Sequence, residues 1–338
     1  MNETKNLKKL TAEEFRQPGS AYRAAPLWSW NCKMTREAID YTLEAMKDMG
    51  MGGAHLHCRT GLDTPYLGEE FMELVRYSHE KSNELGLLTW LYDEDRWPSG
   101  FAGGLITKDH RHRTRFLLFS PEKIEGEDHS PDHLSHCGQA QRSAERTFLG
   151  KYQVCLEKGY LASYQRIPED QPCKDGCDEW FAYLEISGES PWFNNQAYAN
   201  TLDKETVEAF LASTHEKYAE VLGESFGKTV PAIFTDEPEF PYKIPLNFAT
   251  ERREVAIPYT DDFEDTFQAC YGHSILDHLP ELFWELPDGA VSRFRYEYHD
   301  HVTERFAAAY AAVAAELGVD EVHSELLPGD KVAQVEQL

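Results

Sequence analysis

Cationic side chains are scarce in this chain. Its 338 residues carry 33 Lys and Arg against 59 Asp and Glu, a formal net charge of −26. So acidic a surface repels phosphate backbones and anionic lipid, which excludes nucleic acid and membrane surfaces as expected partners. Long apolar runs are missing too: none approaches the roughly 20 residues that cross a bilayer. Residues Met1 to Leu10 lack the apolar stretch, roughly 7–15 residues long, of a secretory signal. The cytoplasm is therefore the expected compartment. Cysteine is sparse and odd in number, seven in all. Only Cys173 and Cys177 lie close together, and no second pair completes a zinc set. Free thiols in a reducing compartment are expected. A nucleotide fingerprint is absent as well. Gly100, Gly103 and Gly104 have the wrong spacing, and no Lys-Ser or Lys-Thr follows them. They read as a tight turn that lets its loop fold over a pocket.

What is present is enough apolar residue, 41 %, for a sizeable core. Strand and helix signals alternate along the first part of the chain. Pro26–Asn31 reads as a strand, and Thr35 caps a helix with Ile39, Leu43, Met46 and Met49 at helical spacing. Ala54–Arg59 is a second strand, Glu69–Leu85 a second helix stopped by Gly86, and Leu87–Tyr92 a third strand. This is the βαβ rhythm of a parallel sheet. It defines a first part of a barrel over 20–114. Residues 115–186 hold several strand-like runs and a polar stretch, which reads as an inserted β-rich subdomain. The barrel pattern resumes over 187–338, with a long helix Lys204–Leu222, a strand Val230–Thr235, and a loop-rich region 239–290 with short helices. A helix Ser292–Leu317 and a strand Val319–Leu326 follow. The fold class expected is α/β, a (β/α)8 TIM-barrel-like architecture. About six barrel-type strands are counted where eight close a barrel. Either two strands hide in loops, or the chain stops short of closure at its C-terminus.

Two of the strands run into acid. Ala232-Ile233-Phe234-Thr235 leads to Asp236-Glu237-Pro238, and Leu87–Tyr92 leads to Asp93-Glu94-Asp95-Arg96-Trp97-Pro98-Ser99-Gly100. The C-terminal edge of a parallel sheet is where α/β proteins build active sites. Carboxylates beside tryptophan and arginine suit a polar, ring-shaped substrate.

Trp28-Ser29-Trp30-Asn31, Met49-Gly50-Met51-Gly52-Gly53, the Tyr92–Gly100 segment with Ala102-Gly103-Gly104, and Phe234–Pro238 occur in an order that resembles the alpha-L-rhamnosidase-like glycoside hydrolases, of the glycoside hydrolase family 106 type. The resemblance covers roughly residues 20–110 and 190–330. It implies a catalytic (β/α)8-type barrel and hydrolysis of a terminal deoxy-sugar from a glycan or glycoside, with inversion and with calcium as the cofactor. Family members are longer, with further β-sandwich domains. Where the family pattern leads us to expect a Gly-His strand and a later acid, this chain has Val322-His323-Ser324-Glu325, without the glycine.

Glycoside hydrolysis uses two carboxyl groups, one donating a proton to the leaving oxygen and one activating water or attacking the sugar. Glu237 is the candidate general acid, with Asp236 holding it and Pro238 stiffening the turn. Its pKa is expected to be raised by burial or by an acidic neighbour. Glu325 is the candidate second carboxylate. Asp93 and Asp95, on one face if the strand continues, are candidates for binding sugar hydroxyls or a metal, and an ion pair with Arg96 is the structural alternative. Trp28, Trp30 and Trp97, at strand ends, can stack on sugar C–H faces. Asn31, Arg96 and His57 complete the candidate substrate-binding set. His55 and His57 share one face, which admits a metal-dependent hydrolase as another reading. A truncated or inactive sugar-binding barrel is the remaining alternative.

Overall fold

The computed structural model describes residues 11–133 and 140–316. In chain order its regular elements are α1 (Ala12–Arg16), β1 (Leu27–Trp30), α2 (Arg36–Asp48), β2 (Gly53–Cys58), α3 (Glu69–Leu85), β3 (Leu88–Tyr92), β4 (Arg115–Ser120), β5 (Arg142–Glu157), β6 (Tyr160–Ile167), β7 (Asp178–Ser187), α4 (Lys204–Ser213), α5 (His215–Leu222), β8 (Ile233–Phe234), β9 (Val255–Pro258), α6 (Phe263–Tyr271) and α7 (Arg293–Glu316). The described residues divide into two compact units, one of residues 11–103 with 212–238, the other of 104–133 and 140–211 with 239–316.

The first unit is built on a parallel sheet in the order β1-β2-β3-β8. Its helices form where the apolar spacing demands them. Thr35 accepts the amide of Ala38 to start α2, and Ile39, Leu43 and Met46 are buried along one stripe. Gly86, at φ 73°, closes α3 in the left-handed conformation that glycine adopts at little cost. These stripes cover one face of the sheet. In register, Trp28 pairs with Leu56 and Trp30 with Cys58, so all four share that face. Trp30 is 0 % exposed and meets Phe71 of α3 edge-on at 5.7 Å. The opposite face carries His55, His57, Trp90, Tyr92 and Phe234, linked ring to ring.

The second unit holds an antiparallel sheet in the order β6-β5-β7-β4-β9. Its core joins Phe119, Tyr152 and Trp180 from the sheet to Phe263 and Phe267 of α6 and Tyr298 of α7. Strand β9 lies in the region expected to hold only loops and short helices. It is short, and Val255, Ala256, Ile257 and Pro258 are all buried, so no alternation marks it. The expected helix Lys204–Leu222 is two helices, α4 and α5, separated at Thr214. The expected strand Val230–Thr235 is reduced to the two residues of β8.

The cysteine expectation needs correcting. Cys155 and Cys177 form a disulfide across a sequence separation of 22. Disulfides persist in oxidising compartments, so the cysteine argument for a cytoplasmic protein falls away. Among the described residues no helix is long and apolar enough to cross a membrane. Among them the parallel sheet has four strands. The expected strand Val319–Leu326, and Glu325 with it, lies outside the described residues.

Candidate active site

Strands β3 and β8 are neighbours, with Tyr92 in register with Phe234. The two acid-bearing segments therefore leave the sheet side by side, at the C-terminal edge. Asp93, Thr235, Ser99 and Asp236 tie them together. Asp93 accepts the Ser99 hydroxyl on Oδ1 at 2.6 Å and the Thr235 hydroxyl on Oδ2 at 2.5 Å. Ser99 Oγ accepts the amide of Asp236 at 2.8 Å, and the Ser99 amide donates to the Asp236 carbonyl at 2.9 Å. Tyr92 donates its hydroxyl to Asp236 Oδ2 at 3.0 Å. Trp97 donates its indole N–H to Glu237 Oε2 at 3.0 Å, and the Trp97–Pro98 peptide is cis.

The expected alternation of Asp93, Glu94 and Asp95 does not occur, because the strand ends at Tyr92 and all three acids are buried. Glu94 turns inward and accepts five backbone amides, from Asp95 and Gly103 on Oε1 and from Gly100, Phe101 and Ala102 on Oε2. The loop thus wraps a nest of N–H groups around an internal carboxyl group, which fills the place of a phosphate cradle. Gly103 is needed there: its φ is 62°, and a Cβ would lie 2.9 Å from the Tyr66 ring. Asp95 pairs with Arg96 at 2.9 Å, as the structural alternative foresaw.

Burial sets the electrostatics. It pushes the Asp93 carboxyl from 3.8 up to about 7, against the Ser99 and Thr235 hydroxyls. It pushes Glu94 up to about 8, against the amide donors. His215 Nε2 lies 3.7 Å from Asp93 Oδ2, and burial holds that imidazole down at about 4, so it faces the carboxyl as a neutral ring. The burial expected of the general acid thus acts on Asp93 and Glu94, whereas Glu237 is exposed.

Of the candidate residues, Asp236, Glu237, Asp93 and Trp97 come together. Asp93 is 0 % exposed, so it lies beneath the site and its expected contact with sugar is corrected. Trp30 is likewise corrected to a core residue, and Trp28 packs on it edge-on at 5.7 Å, on the helix-covered face. Trp97 alone of the three tryptophans touches the acid pair. Asn31 is exposed just beyond β1. His57 sits one ring behind the site, 4.0 Å from the Tyr92 ring centroid and 3 % exposed, and burial lowers its pKa to about 4. His55 directs Nδ1 to the carbonyl of Ala25. Among the described residues no group of three or more His, Cys, Asp or Glu stands in position to hold a metal ion. Sequence reasoning missed Tyr92, Ser99, Thr235 and the role of Glu94. Ser99 and Thr235 are short polar residues flanking the acids, which is the only signal they carry.

No family model matches this chain, and no curated protein matches it. Among solved structures it is similar to a rhamnosidase from Novosphingobium sp. PP1Y, with a TM-score of 0.51 and 14 % sequence identity. The match covers 90 % of this chain and 46 % of that one, so this chain spans about half the length of its structural neighbour. At this identity the likeness establishes a shared α/β fold alone.

Proposed function

We propose that this chain is a glycoside hydrolase, alpha-L-rhamnosidase-like, which cleaves a terminal deoxy-sugar from a glycan or glycoside. The first unit is then part of a (β/α)8-type barrel, its four parallel strands presenting their C-terminal edge to the sugar. The observation that carries the reading is the exposed Glu237 carboxyl at that edge, held at 3.0 Å by the half-buried Trp97 indole. Glu237 serves as general acid and donates its proton to the leaving oxygen. Asp236, fixed by Tyr92, sits next to it and strengthens the local negative field that stabilises an oxocarbenium-like state. Trp97 offers the sugar its ring, and its neighbour Arg96, paired with Asp95, is the candidate cation of the site. Glu325 is the proposed second carboxylate. Calcium as cofactor rests on the resemblance alone.

The test is release of aryl alcohol from a panel of aryl glycosides led by the alpha-L-rhamnoside, with and without calcium. Glu237→Gln should lower the rate by about 10²–10⁴-fold, the range for loss of a general acid. Hydrolysis that survives the substitution would overturn the assignment. Glycan binding without turnover, unchanged by Glu237→Gln, would favour a sugar-binding protein instead.

A further inference from the structure

We propose that Asp93 is a positioning residue: by gathering Ser99 and Thr235 on one carboxyl it fixes the turn that sets Glu237 against Trp97. Its effect on catalysis rests on the function proposed above; the positioning itself does not. The chain order explains how one buried group controls both partners. Thr235 immediately precedes Asp236 and Glu237, and Ser99 lies two residues beyond Trp97. The two oxygens of Asp93 take one hydroxyl each, so neither loop can shift without breaking a bond to the same carboxyl. Ser99 then passes the constraint on through its paired bonds with the backbone of Asp236.

Two further observations argue that this arrangement does more than fill space. A carboxyl removed from water is costly unless hydrogen bonds replace its hydration, and an apolar residue would pack the same volume without that cost. Glu237 itself has φ 46°, and a proline follows it. The left-handed region is unfavourable for a residue with a side chain, and a following proline drives its neighbour toward extended backbone. Such a conformation persists where the surroundings impose it. The bonds from Thr235, Ser99 and Tyr92 act on the residues just ahead of this turn.

The experiment uses the full chain labelled with nitrogen-15 and follows the indole N–H resonance of Trp97, assigned by its disappearance in Trp97→Phe. Glu237→Gln should displace this resonance, because an amide replaces the carboxyl acceptor. Thr235→Val, nearly isosteric but without the hydroxyl, should displace it too, and so should Asp93→Asn. Thr235→Ser, which keeps the hydroxyl, should leave it in place. In the hydrolysis assay Thr235→Val should lower kcat about tenfold at unchanged KM, about the worth of one hydrogen bond, and Thr235→Ser should restore it. A resonance that stays at its wild-type position in Thr235→Val overturns the proposal whatever Asp93→Asn does to folding. So does a displacement equally large in Thr235→Ser. The expected resonance pattern in a chain that hydrolyses no glycoside supports the positioning and overturns the activity.

Discussion

Trp97 donates its indole N–H to the Glu237 carboxyl across 3.0 Å, joining two loops 140 residues apart in the sequence. An exposed glutamate is free to turn through several rotamers; this one is held by an N–H on a large ring whose face can also meet a sugar. Trp97→Phe keeps an aromatic face, though a smaller one, and removes the donor. The expected outcome is a loss of up to about tenfold in kcat/KM, because a hydrogen bond is worth about 0.5–1.5 kcal/mol net. Steady-state kinetics on the cleaved aryl glycoside reads it.

Glu94 predicts a stability effect of a different kind. Its carboxyl group is the shared acceptor for five backbone amides. Glu94→Ala strands those donors in a buried loop, and the chain should lose at least about 3 kcal/mol of unfolding free energy. Glu94→Gln should rescue little, since its NH2 group points a donor at donors. Urea unfolding of the three proteins decides. A loss below about 1 kcal/mol in Glu94→Ala would mean that water satisfies the nest.

The helical half of the first unit was legible because its rules are local. Thr35 caps α2, the buried stripe follows the apolar spacing, and Glu69–Leu85 has the bounds that its glycine stop implies. The strand-end acids were legible as a location. Their division of labour was not, since Asp93, Glu94 and Asp95 are chemically alike and differ only in what the loop turns toward them. Trp28 and Trp30 showed the same limit. Alternation puts both on one face, and only the packing of α3 decides that this face is the core. Strand β9 lacks alternation, and the partner of Cys177 lies on the strand paired beside it rather than nearby in sequence.

The disulfide has its own test. Alkylation of the denatured, unreduced chain should leave Cys155 and Cys177 unmodified, and mass spectrometry of the digest should find their peptides joined. Cys155→Ser should lower unfolding free energy by about 2–4 kcal/mol if the bond acts by restraining the unfolded chain. Full alkylation of both residues in protein purified without reductant would mean that the bond does not form there.

Asp93 also makes stability depend on pH, and the sign follows from the direction of its shift. Folding raises its pKa from 3.8 to about 7. Between those values the folded chain holds a proton that the unfolded chain has released. Its contribution to stability is therefore greatest below about pH 4, falls as pH rises, and is lost above about pH 7. His57 works oppositely: its folded pKa is lowered from 6.5 to about 4, so its contribution is present above about 6.5 and lost as pH falls. Raising the pH from 7 to 8.5 leaves His57 neutral in both states. Raising it from 5 to 7 removes most of the Asp93 contribution while restoring that of His57. Asp93→Asn abolishes the first effect and keeps the second. The variant should therefore gain stability relative to wild type between pH 5 and pH 8, read as the difference in urea midpoints at the two pH values. Parallel curves for the two proteins would mean that Asp93 is ionised throughout this range in the folded chain, its charge held by Ser99 and Thr235.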